Sequence, residues 1–244
     1  MARTDTIDVN GDPMHVYVGV PAGAGPRPGV VVMVHGPGLD DFIRSRVESL
    51  ADHGFIALAP DLFHRQPDDG TDTRTRVGRL LDRDIVADAD ATIAHLLSFG
   101  EERVGRLAVL GFCMGGRHAY LLAGARPAAW SAAGVFYGGN IMEPWGDGPA
   151  PFDLTERIDC PVLGIFGAHD SNPSPDDVVK VERELTRLGK SHEFHVYDDA
   201  GHAFLNFSNA ERYRPEQADD AWSKLIAFFE RHLGADRRVA APSR

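Results

Sequence analysis

Cysteine, aspartate and histidine stand in this 244-residue chain at three points where an extended run gives way to a turn. The first is Gly111-Phe-Cys-Met-Gly115, set between the apolar run Arg106-Leu-Ala-Val-Leu110 and a helix-like run that starts at Gly115. A glycine on each side of Cys113 permits a sharp strand-to-helix turn that lifts the sulfur to the top of a sheet. The helix behind it aims free N–H groups and the positive end of its dipole at the sulfur, favouring thiolate and later an oxyanion. A cysteine after a buried strand is ordinarily inert packing. Chain context decides between the two readings.

Downstream, the apolar run 161–166 ends in Gly167-Ala-His-Asp170, and the run 193–197 ends in Asp198-Asp-Ala-Gly-His202. Each presents an acid or an imidazole at the C-terminal end of a strand, the edge where open α/β sheets keep their sites. Taken singly, Asp170 reads as a turn or helix cap before Asn172 and Pro173, and His202 as a satisfied loop histidine. Together they follow Cys113 in the order nucleophile, acid, histidine, which is the order of α/β-hydrolases.

These residues carry a resemblance to the dienelactone hydrolase family. It rests on Val30-Val-Val-Met-Val-His35, Gly54-Phe-Ile-Ala-Leu-Ala-Pro-Asp-Leu-Phe63, Gly111-Phe-Cys-Met-Gly-Gly-Arg117, Pro161-Val-Leu-Gly-Ile-Phe-Gly167 and Gly201-His-Ala-Phe204. It spans residues 14–233, nearly the whole chain, and cysteine in the elbow makes it specific. The resemblance implies Cys113 as nucleophile, His202 as base and Asp170 as the group orienting the imidazole. Two positions depart from the family's lactone-cleaving members. Their glutamate after the histidine ending the third strand is Gly36 here, in a turn one residue shorter, and their arginine four residues beyond the catalytic histidine is Asn206. The reaction class survives both changes, but the dienelactone substrate does not follow. A neutral amide at 206 predicts little preference for anionic over neutral esters.

The elements that position these groups alternate along the chain. An opening hairpin is expected from strands at 6–9 and 14–20 about a Gly11-Asp-Pro turn, with further strands at 29–34, 56–59, 106–110, 132–136, 162–166 and 193–197. Helical periodicity covers 41–53, 79–98, 115–125, 175–188 and 215–233. Near-continuous apolar strands separated by helices mean a sheet of about eight mostly parallel strands covered on both faces, the α/β-hydrolase fold. A single domain over 1–235 is expected, with a frayed tail at 236–244. The Gly/Pro-rich stretch 21–29 is a connection rather than a phosphate loop, because no Gly-Lys-Ser/Thr follows it.

Composition agrees with one enzyme domain, at 43% apolar and 25% charged residues. A net charge of −11 argues against nucleic acid and anionic membranes as partners. No apolar signal core follows the N-terminus, and no run reaches membrane-spanning length. With only two cysteines, Cys113 and Cys160, both thiols read as reduced and the chain as cytoplasmic, a monomer or small homo-oligomer. Cys160, ahead of Pro161, reads as structural. No metal site is expected: His192 and His195 lie three apart on a strand and so point to opposite faces. His35 reads as a turn-stabilising group and His118 as packed.

The chemistry expected is acyl transfer without metal or organic cofactor. Cys113 attacks an ester or lactone carbonyl, His202 moves the proton and Asp170 fixes the tautomer. One oxyanion donor is the Met114 N–H by the elbow rule. The other is Gly36 or Gly38, since Pro37 has no N–H. Phe63, Trp145 and Phe204 are candidate pocket walls, with 140–152 as a cap. The charged stretch 65–90 reads as a solvated face or as a lid carrying Arg76 or Arg79 to the substrate. Asn206 completes the candidate pocket. A small ester or lactone is the expected substrate; a thioesterase on the same groups, or a non-catalytic binding module, are the competing readings.

Overall fold

The computed structural model describes residues 1–67, 69–100 and 104–234. The tail expected at 236–244 lies outside them. Eight strands form one sheet in the order β1-β2-β4-β3-β5-β6-β7-β8. They are β1 (Ala2–Val9), β2 (Asp12–Gly19), β3 (Arg27–Met33), β4 (Ile56–Pro60), β5 (Val104–Phe112), β6 (Ala132–Phe136), β7 (Val162–Gly167) and β8 (His192–Tyr197). β2 is antiparallel to both β1 and β4, and every other pairing is parallel. The strand order and the parallel centre are those of the α/β-hydrolase fold.

Residue types explain the layering. Every residue of β4, β6 and β7 is buried, as parallel strands covered on both faces require, whereas β1 is mostly exposed at the sheet edge. The covering helices are α1 (Asp41–Asp52), α2 (Thr73–Val77), α3 (Asp82–Leu97), α4 (Met114–Ala125), α5 (Pro175–Arg187) and α6 (Pro215–Leu233). Eleven residues of α4, from Met114 to Gly124, are buried, which marks it as the central helix. In contrast, α5 buries only Val178, Val181 and Leu185, one stripe of an otherwise charged surface helix.

Three boundaries differ from the sequence expectation. The hairpin turns at Asn10-Gly11, with φ of 56° and 98°, and β2 already begins at Asp12. Two positive φ values match the twist of a two-residue hairpin, which Asn-Gly adopts readily. The helix expected over 79–98 begins only at Asp82, and a separate short helix, α2, precedes it where none was expected, capped by Asp72, which accepts the Thr75 N–H at 3.1 Å. The stretch 65–90 is not simply a solvated face. Asp88 is fully buried against Arg65 (2.8 Å) and His64 (3.2 Å), and Asp82 is buried against Arg117. Opposite charge across the chain allows these carboxylates inside.

Candidate active site

The turn from β5 into α4 is forced by contact rather than by preference. A Cβ on Gly111 would lie 1.8 Å from the Gly115 carbonyl oxygen, and one on Gly115 would lie 2.0 Å from that of Met33. Between them Cys113 takes φ 56° and ψ −119°, a conformation that costs a side-chain-bearing residue roughly 1–3 kcal/mol. Its N–H is held by the Phe136 carbonyl at 3.0 Å, so the neighbouring strand supports the strained residue. Cys113 also immediately precedes α4, whose N-terminal amides open toward the sulfur.

The turns after β7 and β8 bring the other two groups to it. His202 Nε2 lies 3.0 Å from Cys113 Sγ, and His202 Nδ1 lies 2.7 Å from Asp170 Oδ2. The second Asp170 oxygen accepts the Asn172 N–H at 2.8 Å, which fixes the carboxylate plane. Tyr137 packs edge-on to the imidazole, with ring centroids 5.4 Å apart.

Burial disfavours charge on both reacting groups, yet their mutual contact outweighs it. For His202, desolvation pulls downward, but the hydrogen bonds to Asp170 and Cys113 push its pKa up to about 10. For Cys113, desolvation pulls upward, while His202 and the Met114 and Gly36 amides bring the thiol below its ordinary value. Both shifts favour thiolate and imidazolium in the resting pair. Cys160 is the contrast, a buried thiol pushed up to about 12 by desolvation.

The same amides distinguish the two glycines left open by the sequence. The Gly36 N–H acts on the sulfur alongside that of Met114. The Gly38 N–H is already donated to the His35 carbonyl at 2.9 Å. His35 is buried with Nε2 2.9 Å from Asp40 Oδ2, though poorly aligned for a hydrogen bond. Asp40 caps α1 through the Ile43 N–H at 3.0 Å.

The groups open into a cleft of about 410 Å³ whose walls only partly match expectation. Trp145 lines it. Phe63 and Phe204 do not, being 2% and 0% exposed in the core, where Phe204 packs on Tyr137 and Tyr197. The Arg76 guanidinium lies 4.3 Å from the centre of the Phe63 ring, and Arg79 is an exposed side chain outside the cleft lining. Asn206 Oδ1 accepts the Ser208 N–H at 3.0 Å within its own turn. The cations in the lining are instead Arg74 on α2, Arg212 in the loop beyond His202, and Arg117. A cap at Asp72 with Thr75 three residues on was the available signal for α2. Nothing local marks Arg212.

Arg117 is 0% exposed and fully engaged. It grips both oxygens of Asp82 at 2.5 and 2.9 Å, and it donates to the carbonyls of Asn140 (3.1 Å) and Glu143 (2.5 Å). Its guanidinium stacks 4.1 Å from the centre of the Trp145 ring. The segment after β6 is thereby tied down beside the cleft. Among the described residues, no group of three or more histidine, cysteine, aspartate or glutamate side chains could hold a metal ion.

A sequence model of the dienelactone hydrolase family matches residues 14–233. The chain belongs to that family. A Methylorubrum extorquens protein named "Putative carboxymethylenebutenolidase" is 33% identical over 88% of this chain and 76% of its own. A Bradyrhizobium protein named "Probable 2-oxo-3-(5-oxofuran-2-ylidene)propanoate lactonase" is 32% identical over 96% and 97%. Among solved structures, a Klebsiella pneumoniae protein described as a "Putative Dienelactone Hydrolase" superposes with a TM-score of 0.85 at 33% identity, covering 94% of this chain and 98% of that one. This dienelactone hydrolase family member is accordingly an α/β-hydrolase-fold enzyme of the carboxylic ester hydrolase class. The resemblance read from the elbow and its neighbours is the relationship these comparisons give.

Proposed function

We propose that this enzyme hydrolyses small esters or lactones through a thioester on Cys113. The observation that carries the proposal is the arrangement around one sulfur: His202 Nε2 at 3.0 Å, with the Met114 and Gly36 amides directed at the same atom. The Cys113 thiolate adds to the substrate carbonyl carbon, and the carbonyl oxygen takes the negative charge against the Met114 and Gly36 N–H groups. As the tetrahedral intermediate collapses, the C–O bond to the leaving alkoxide breaks and the His202 imidazolium gives that oxygen its proton. Water then attacks the thioester, losing a proton to His202, and the thiolate leaves with the acid as product. Asp170 keeps Nδ1 of His202 protonated throughout.

The cleft suits a substrate bearing a carboxylate. Arg74 and Arg212 line it with no carboxylate partner among the described residues, so the positive charge missing at position 206 is supplied from elsewhere. The partner is a small molecule, since the cleft holds only about 410 Å³. No helix of the described residues is long and apolar enough to cross a membrane. A cytoplasmic single domain, monomeric or in a small homo-oligomer, fits the acidic surface and two unpaired thiols. Stopping the reaction with acid during turnover of an aryl ester and weighing the intact chain tests the reading. An acyl adduct on the peptide containing Cys113 is expected; turnover with no adduct, unaffected by Cys113→Ala, would refute it.

A further inference from the structure

Behind the catalytic cleft lies a second and larger hollow, of about 740 Å³. Trp145 lines both, and the Arg117–Asp82 pair stands between them, Arg117 on the cleft side and Asp82 on the other. Its volume falls within the range of small-molecule sites. Leu81, Val86, Leu121, Ala125 and Leu154 make an apolar floor from three helical segments. The loop 145–149 forms its wall, and that wall is anchored at Trp145. Asp82 donates its N–H to the Trp145 carbonyl at 2.8 Å and accepts the Trp145 N–H at 2.9 Å.

The mouth carries both signs, with two exposed guanidiniums, Arg83 and Arg157, that no short ion pair among the described residues engages. Arg126 is neutralised by Asp90 at 2.7 Å, and Asp82 by Arg117. Arg83 has an exposed side chain with only its neighbour Asp84 at 3.4 Å, and Arg157 has no carboxylate partner among the described residues. Asp147 is the one lining carboxylate left to oppose them. An apolar hollow with two exposed guanidiniums at its rim offers a ligand's carboxylate a charge-assisted contact. The anchor at Trp145 also lowers the ordering cost that an induced pocket carries.

We propose that this hollow is a second binding site, separate from the catalytic cleft, for an amphipathic carboxylate. The apolar body lies on the leucine floor and the carboxylate meets Arg83 and Arg157. The proposal stands apart from the catalytic reading, because none of its residues takes part in acyl transfer.

Decanoate is the probe, titrated calorimetrically into the unmodified chain and into the chain alkylated at Cys113 by iodoacetamide, which obstructs the catalytic cleft. One molecule per chain is expected to bind both forms with similar affinity, and decyltrimethylammonium at least tenfold more weakly. Replacing both exposed arginines (Arg83→Glu with Arg157→Glu) should weaken decanoate by about tenfold or more, the scale of a lost charge-assisted hydrogen bond. Val86→Trp, which fills the floor from a half-buried position, should abolish binding. Circular dichroism verifies the fold of each variant. Absence of saturable binding, loss of binding on alkylation, equal affinity for the cation, or unchanged affinity in both variants would each overturn the proposal.

Discussion

Asp170 meets His202 at 2.7 Å through a carboxylate whose side chain is 1% exposed, while the imidazole itself remains a quarter exposed toward the cleft. The acid is inside and the base is at the surface. Such an acid orients and stabilises without touching substrate. Cys113→Ala and His202→Ala should therefore each lower kcat for an aryl ester by roughly 10⁴-fold or more, and Asp170→Asn by less than either. Steady-state kinetics on folded variants checks the ranking. A Cys113→Ala enzyme with near-normal turnover contradicts the mechanism.

The thiolate–imidazolium pair sets a pH profile. Cys113 lies below its ordinary value and His202 is raised to about 10. The pair thus exists from the lowered thiol pKa up to about 10, losing the thiolate as pH falls and the imidazolium as pH rises. Iodoacetamide should alkylate Cys113 with an inflection below the unperturbed value of about 8.5, far ahead of Cys160. Substrate should protect it. Asp40, in the turn that begins at Gly36, is occupied in capping α1. Labelling that is slow until a substrate analogue is added would show an acid still holding the proton.

Cations in the cleft predict a preference that Asn206 alone does not. An ester with a carboxylate substituent should show a kcat/KM about tenfold or more above its neutral match, the worth of one charge-assisted contact. Arg74→Ala combined with Arg212→Ala should remove that preference and leave the neutral ester nearly unchanged. Equal values for the two esters in the wild-type enzyme would return the question to the neutral amide at 206.

Breaking the buried ion pair should be costly. Arg117→Ala leaves Asp82 buried without its partner, and a stranded charge of this kind typically costs about 3–5 kcal/mol. Urea denaturation measures it directly. A loss under about 1 kcal/mol, within the range of surface pairs, would mean that the pair carries little of the fold.

The sheet and the elbow were legible because each depends on a few neighbouring residues. Apolar runs mark strands buried on both faces, and two glycines around Cys113 mark a turn that no Cβ can enter. The cleft walls were not legible in the same way. Phe204 follows closely on His202, yet the chain turns it inward onto Tyr137, and proximity in sequence says nothing of that rotation. Arg212 reaches the cleft only because 204–214 folds back, with the Arg214 N–H donated to the Phe204 carbonyl at 3.0 Å. Asp82 looked solvated because its partner lies 35 residues away on the central helix.

The grip of Arg117 on the neighbouring loop engages the carbonyls of Asn140 and Glu143, and its partner Asp82 holds the main chain of Trp145 from both sides. Every one of those bonds is to backbone, so none reads the identity of the side chain it secures. Apart from the stacked indole, the loop is fastened in a way that is indifferent to its spelling. Substitutions at 147–149 can thus reshape the wall of the hollow while the anchor stays in place, whereas Asn140 and Gly146, at φ of 52° and 109°, are held to residues that tolerate the left-handed region. Drift in ligand preference is open to this enzyme without a new fastening having to evolve.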